Sequence, residues 1–223
     1  MRDKLNYMKY LVLLLIVFSV SAEEYSLLGR IKNFISTGAN NSLVEDSSLF
    51  GIDRVGRSKR LYTESTETNI HSHYRKNKAS RFKNYTYTGR MRILDSDGGI
   101  GVTFYSDYPR SDTYYRIRMF SGNQFFHVAP HPDNAYTLSG TCDSTVTPQV
   151  GDWLRFRVVI RNRKALTRIR AKLWPDGTKA PSSWQIDCSD VGSNKIKRGK
   201  PGVWSMGSGR KEWANLKVVT PES

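Results

Sequence analysis

An all-β protein, built as a two-sheet antiparallel sandwich of jelly-roll type, is what this sequence predicts. Three observations carry the prediction. From residue 85 onward apolar and polar side chains alternate in short runs, the pattern of strands with one buried face. The runs are broken by Gly, Pro, Asn and Asp, which supply the backbone conformations of tight turns. No useful helical repeat follows residue 34, and the nine strands read after residue 85 call for two sheets.

In chain order, Arg2, Lys4 and Lys9 precede the apolar run 11–20 and the small-residue exit Val20-Ser21-Ala22. That is the layout of a signal peptide over 1–22, cleaved after Ala22, and it predicts a secreted protein. The run falls short of the roughly 20 residues that span a bilayer, and no later segment could span one. Residues 23–48 read as a polar N-terminal extension, in which 25–35 has the spacing of a short amphipathic helix and 36–48 is turn-rich. The sandwich domain is expected over 49–223. Its first strands, 49–55 and 61–66, flank the basic cluster Arg57-Ser58-Lys59-Arg60, read as a turn; the same pattern resembles a furin-type processing site. Further strands are expected at 85–94, 100–106, 113–120, 124–128, 153–161, 166–174, 184–187, 202–205 and 213–219. Hairpin turns fall at 95–99 and 121–123, where Gly and Asn allow positive φ, which makes Asp95 and Asp97 turn residues before metal ligands.

Composition narrows the function classes. Hydrophobic content of 38%, with 12% aromatic residues, is enough for a real core and excludes a mainly disordered chain. The net charge is +15, and loss of 1–22 leaves 32 basic against 19 acidic residues, a net +13. Such a field attracts polyanions: acidic glycans, anionic membrane or nucleic acid. Export makes nucleic acid the least fitting, so the expected partner is a polysaccharide, and an acidic one. Cys142 and Cys188 are the only cysteines, and an even count in an exported chain reads as one disulfide, two buried thiols being the alternative. Two cysteines without a nearby histidine make no zinc site.

The stretches Gly151-Asp152-Trp153-Leu154-Arg155-Phe156-Arg157-Val158, Arg170-Ala171-Lys172-Leu173-Trp174-Pro175-Asp176-Gly177 and Pro181-Ser182-Ser183-Trp184 resemble the C-terminal half of concanavalin A-like lectin/glucanase domains, most of all laminin G-like and 3-keto-disaccharide hydrolase-like modules. Gly199-Lys200-Pro201-Gly202-Val203-Trp204-Ser205 and Trp213-Ala214-Asn215-Leu216-Lys217-Val218 continue the pattern, and 98–104 is similar to a central strand of those domains. The match runs over about 85–219 and is more specific for fold than for function. It implies a concanavalin A-like sandwich. The five tryptophans, 153, 174, 184, 204 and 213, are expected to fill the core. Many relatives carry an acidic residue before the last strand that ligates structural calcium; Ala214-Asn215 stands there, so calcium is doubtful and no cofactor is expected.

Laminarinase-like members carry carboxylates alternating along one strand, because retaining hydrolysis needs two of them about 5 Å apart. Glu64 and Glu67 are three apart and face opposite ways in a strand, while Glu45-Asp46 lies in the extension. Classical glycosidase chemistry is therefore not expected. His71, His73, His127 and His131 supply base types that a polysaccharide lyase would need, and His71-Ser72-His73 puts two rings on one face, read as polar strand surface. The positive signal is a face. Alternate positions of the expected strands carry Arg90 and Arg92; Tyr114, Arg116 and Arg118; Arg155, Arg157 and Arg161; and Arg168, Arg170 and Lys172, with Tyr105 added as a candidate. Leu154, Phe156, Val158 and Ile160 point the other way. An arginine set without acidic residues suits sulfate or carboxylate groups, which guanidinium grips bidentately. A carbohydrate-binding or adhesion module is the first reading, a lyase or atypical glycosidase the second, and a structural or protein-interaction sandwich the third. Asn40 and Asn84 stand in N-x-[ST] sequons.

Overall fold

The computed structural model describes residues 22–37 and 45–221. The expected signal peptide, apart from Ala22, and the Asn40 sequon lie outside the described residues. Fifteen described strands form two antiparallel sheets stacked as an open sandwich. They are β1 (Ala22–Ser26), β2 (Phe34–Thr37), β3 (Gly51–Val55), β4 (Ser58–Thr63), β5 (Ile70–Tyr74), β6 (Thr86–Ile93), β7 (Gly99–Ser106), β8 (Tyr114–Phe120), β9 (Asn123–His131), β10 (Leu138–Thr141), β11 (Leu154–Asn162), β12 (Thr167–Pro175), β13 (Ile186–Asp190), β14 (Lys200–Met206) and β15 (Lys211–Pro221). One sheet runs β10-β13-β12-β11-β6-β15-β4-β3, with β1 beside β15; the other runs β2-β5-β14-β7-β8-β9.

The core lies between the sheets and is filled by the inward half of each alternating strand. Phe156, Val158 and Ile160 of β11 meet Ile100, Val102 and Phe104 of β7 and Tyr115 and Ile117 of β8 in one buried cluster. Each large apolar side chain fully buried there contributes on the order of 2–3 kcal/mol. Two polar pegs cross the core: Trp213 Nε1 donates to the Gly101 carbonyl at 3.0 Å, and Tyr87 Oη donates to the Gly202 carbonyl at 3.1 Å. Cys142 and Cys188 form a disulfide. It ties β13 of the larger sheet to segment 142–146, whose backbone bonds to Phe126 and Val128 of β9 in the smaller sheet.

Three expectations are corrected. Residues 25–35 form no amphipathic helix, only a single 3-10 turn at Ile31–Asn33: β1 pairs with the end of β15, and β2 pairs with β5, so the expected extension supplies a strand to each sheet. Ladder bonds along two existing strands outweigh a helix this short, whose nucleation is costly. The tryptophans do not all enter the core. Only Trp204 and Trp213 are fully buried, and Trp204 points away from the central cluster. Trp153, Trp174 and Trp184 are half-buried on an outer face, Trp153 and Trp184 beneath arginine side chains. Finally, His71 and His73 are fully buried rather than polar surface.

Candidate functional site

The arginine face is not one face. Arg90, Arg92, Arg155, Arg157, Arg161, Arg168, Arg170 and Lys172 belong to β6, β11 and β12 of the nine-stranded sheet, whereas Tyr114, Arg116 and Arg118 belong to β8 of the other. Periodicity finds the outward half of a strand but not its sheet. Tyr105 joins neither group: it is fully buried, its hydroxyl accepts from the Asn84 backbone N–H at 3.0 Å, and burial pushes its phenol up to about 12.

On the nine-stranded sheet, register builds cross-strand rows. Arg155 lies opposite Arg90 on one side and Trp174 on the other, and the next row is Thr88, Arg157, Lys172. Like charges directly opposite one another repel. In the first row Asp176 relieves this, accepting from Arg90 at 2.6 Å and from Arg155. Burial works against ionisation of Asp176, but those two arginines outweigh it and hold the carboxyl below its ordinary range. In the second row no carboxylate intervenes. Lys172 Nζ donates to the carbonyls of Pro181 and Ser182 at 2.6 and 2.7 Å, and the exposed Arg157 makes no ion pair among the described residues. A pocket of about 520 Å³ opens over these rows, lined by Arg90, Arg155, Arg157, Lys172, Trp174 and Asn215.

The remaining arginines of the predicted set on this sheet are engaged. Arg168 forms a two-pronged pair with Asp187, Arg92 pairs with Glu212, and Arg161 donates to the Asn84 carbonyl. Arg90 and Arg92 also lie 4.5 and 4.8 Å from the Trp153 ring, and Arg170 lies 4.7 Å from Trp184. Arg60, at the end of the dibasic cluster, sits in β4, pairs with Glu212 at 3.3 Å and stacks at 5.5 Å on Trp153, so a protease would have to strip it from the sheet.

The outer face of the six-stranded sheet is built differently. His71 and His73 of β5 stand beside Tyr114 and Arg116 of β8 and His131 of β9, with Asp112 supplied by the loop after β7. Asp112 lies 3.0 Å from His71 Nε2 and 3.1 Å from His131 Nε2, at ion-pair distance though both contacts fall outside hydrogen-bond alignment. His73 Nε2 is 2.6 Å from His71 Nδ1, and His73 Nδ1 is 3.0 Å from Thr103 Oγ1. Neutral rings satisfy all of this in one direction. Thr103 donates to His73, His73 donates to His71, and His71 turns its remaining N–H toward Asp112. Burial lowers both rings; Asp112 opposes the effect at His71, while the neighbouring His71 reinforces it at His73. Burial would raise Asp112, yet the contacts from His131 and His71 prevail and hold it below its usual range. Gly202 is needed here, since a Cβ would fall 2.6 Å from Thr103 Oγ1 and 2.8 Å from His73 Nδ1.

Arg116 is also internally matched. It donates to Asn69 Oδ1 at 2.5 Å and to Asp133 Oδ1 at 3.0 Å, while Asn69 accepts in addition from Trp204 Nε1 at 2.7 Å. Arg118 lies 5.1 Å from the Trp204 ring, and burial with Arg116 close by lowers it to about 10. His131 stacks on Tyr114 at 4.9 Å; His127 instead bonds back to the Phe125 carbonyl at 3.1 Å. No group of three or more described His, Cys, Asp or Glu side chains has a geometry that could hold a metal ion.

No family model matches the chain, and neither does any curated protein. Solved structures do. The chain is similar to a protein of unknown function with a galectin-like fold from Bacillus subtilis, at TM-score 0.56 and 11% identity over 90% of this chain and 96% of that one. It is similar to a prokaryotic beta-1,3-1,4-glucanase (lichenase) derived from a mouse hindgut metagenome, at TM-score 0.53 and 8% identity over 91% and 100% of the two chains. It is also similar to the carbohydrate binding module CBM66 from Bacillus subtilis, at TM-score 0.50 and 13% identity over 82% and 94%. At these identities the likeness shows the fold, a concanavalin A-like sandwich.

Proposed function

We propose that this chain is a secreted, non-catalytic module that binds acidic polysaccharide on the outer face of its nine-stranded sheet. The observation that carries the reading is the row Arg157–Lys172: two cations directly opposite, with no carboxylate between them, in an open pocket walled by Trp174. Such an arrangement is unfavourable in the free protein and is relieved by a bound sulfate or carboxylate. Trp174 offers an apolar wall for a sugar ring. Carbohydrate-binding and glycan-active proteins among the structural neighbours are in keeping with this use of the fold. Secretion rests on the leader-like residues 1–22 and is in keeping with the disulfide.

The test is titration of heparin or alginate into the purified chain and two charge-matched variants. R155Q/R157Q/K172Q should lose about 10- to 100-fold in affinity, corresponding to roughly 1.4–2.7 kcal/mol. The control R54Q/R57Q/R163Q removes exposed cations outside the pocket and should lose about threefold or less through the general field. Equal losses would reduce the interaction to nonspecific attraction and sink the proposal.

One observation favours a second reading, a polysaccharide lyase on the six-stranded face: His131 is stacked on Tyr114, whose hydroxyl lies 3.4 Å from Arg116. A lyase needs a base and a cation for the uronate carboxylate. Against it, Arg116 is already matched by Asp133 and Asn69, and burial pushes the Tyr114 phenol up, away from a phenolate base. Unsaturated products from alginate or hyaluronan, abolished by H131A, would replace the binding module with this enzyme.

A further inference from the structure

We infer that the chain carries a second anion site, at the loops after β7, β9 and β13, and so bridges two polyanionic chains. The inference rests on the polysaccharide-binding reading and extends it from one site to two. A pocket of about 560 Å³ lies among residues 107–113, 132–136 and 194–198 and shares no lining residue with the pocket on the nine-stranded sheet. Four cations line it: Arg110, Lys195, Lys197 and Arg198. Its carboxylate, Asp107, is taken up by Arg110 through bonds of 2.9 and 2.7 Å and by Ser111 Oγ at 2.9 Å. That leaves three cations for a ligand. Lys197 and Arg198 are exposed and make no ion pair among the described residues, and Lys195 Nζ reaches only the Gly192 carbonyl at 3.4 Å.

The loop that presents them is anchored from below. Asp190, fully buried at the end of β13, accepts from Tyr115 Oη at 2.6 Å and from the Gly192 N–H at 2.9 Å. Tyr115 Oη in turn accepts from the Ile196 N–H at 2.9 Å, and Thr167 Oγ1 donates to the Ile196 carbonyl at 2.8 Å. Ile196 is thus pinned through both backbone groups, and its neighbours Lys195 and Lys197 are held at the mouth of the pocket. Holding like charges together before a ligand arrives is preorganisation, which lowers the ordering cost of binding. Tyr136 supplies an apolar wall. The chemistry selects sulfate or carboxylate groups on a polymer. Because the first site lies on a sheet face and the second among loops, one molecule offers two separate valences.

The experiment uses the full chain with two probes, a short heparin-derived oligosaccharide and long heparin. Calorimetry with the short probe should give two oligosaccharides per protein, falling to one in K195Q/K197Q/R198Q. Light scattering with long heparin should show large complexes that dissolve in excess polymer. The same variant should still bind long heparin but lose at least tenfold of that scattering. Binding of one oligosaccharide per protein, unchanged in the variant, overturns the second site and leaves the first intact. Absence of any binding by the unaltered chain overturns both, and circular dichroism of the variant distinguishes lost charge from lost fold.

Discussion

The two outer faces of this sandwich use the same residue types to opposite ends. On the nine-stranded sheet, Arg155 and Arg157 reach into solvent, Lys172 is half-exposed, and the tryptophans lie half-open among the cations. On the six-stranded sheet Arg116 is 2% exposed, and His71, His73, Tyr114 and Trp204 are fully buried. There the principal charges face one another: Asp112 two histidines at ion-pair distance, Arg116 a carboxylate and an amide, and Trp204 donates to that same amide. A buried polar group without a partner costs about 1–3 kcal/mol, so a closed face must match its charges internally. An open face can leave one row unmatched. Unpaired charge, rather than charge as such, is what separates a surface available to ligands from one that is structural.

Cutting the link between the two sheets should have the largest effect. The Cys142–Cys188 bridge closes a loop of 46 residues and anchors the segment that covers β9. In the chain-entropy account its loss costs about 4 kcal/mol. C142S/C188S should therefore show a lowered denaturant midpoint with heparin affinity per folded molecule unchanged, because the Arg157–Lys172 row lies on β11 and β12, away from β9. If affinity fell with the midpoint, the two faces would not be independent.

One chemical change placed on each face sharpens the contrast. Arg116→Gln removes the bond to Asp133, shortens the reach to Asn69 and vacates the space 5.4 Å from the Trp204 ring. About 3 kcal/mol of stability should be lost. Arg157→Gln should stay within about 0.5 kcal/mol of the parent, since an exposed side chain without partners is removed. Urea unfolding of the two variants decides it, and comparable losses would show that Arg157 is structural after all.

Much of this contrast was invisible to sequence reasoning, for a definite reason. Alternation in β11 assigned Phe156 and Val158 to the core and Arg155 and Arg157 outward, and the structure agrees. Which sheet a strand enters is settled by long-range pairing: β6 lies between β11 and β15, while β8 sits with β7 and β9 in the other sheet. That split the predicted arginine face. The compensating carboxylates were hidden too, because Asp176 follows β12 in a turn and Glu212 arrives on β15, far from the arginines in sequence. His71-Ser72-His73 did carry a signal, two rings on one side of a strand. Its burial depends on Tyr108 and Asp112 from the loop after β7, which no local pattern announces.

A change of pH separates the faces most cleanly, because the two should respond to it differently. Burial holds His71 and His73 below their ordinary range, so the folded chain resists protonating them, whereas the unfolded chain takes up protons near pH 6.5. Below that point the unfolded state binds more protons than the folded state, and stability falls as the pH falls. Asp112 adds to this in the acidic range: its folded pKa is depressed, so its contribution is present above about pH 4 and is lost as the pH drops further. The groups facing the two rings, Asp112, His131, Arg116, Tyr108, Tyr114 and Lys200, include several cations that oppose an added proton. Each histidine should steepen the loss by up to about 1.4 kcal/mol per pH unit between roughly pH 6.5 and pH 5. Arginine and lysine do not titrate there, so heparin affinity through Arg157 and Lys172 should stay flat over the same interval. Thermal melts across the interval, run beside heparin titrations of the folded protein, measure both. A melting temperature that fell with pH while affinity held would confirm one closed and one open face. A flat melting temperature would mean that the histidines accept protons in the folded state, and the six-stranded face would then be open to solvent.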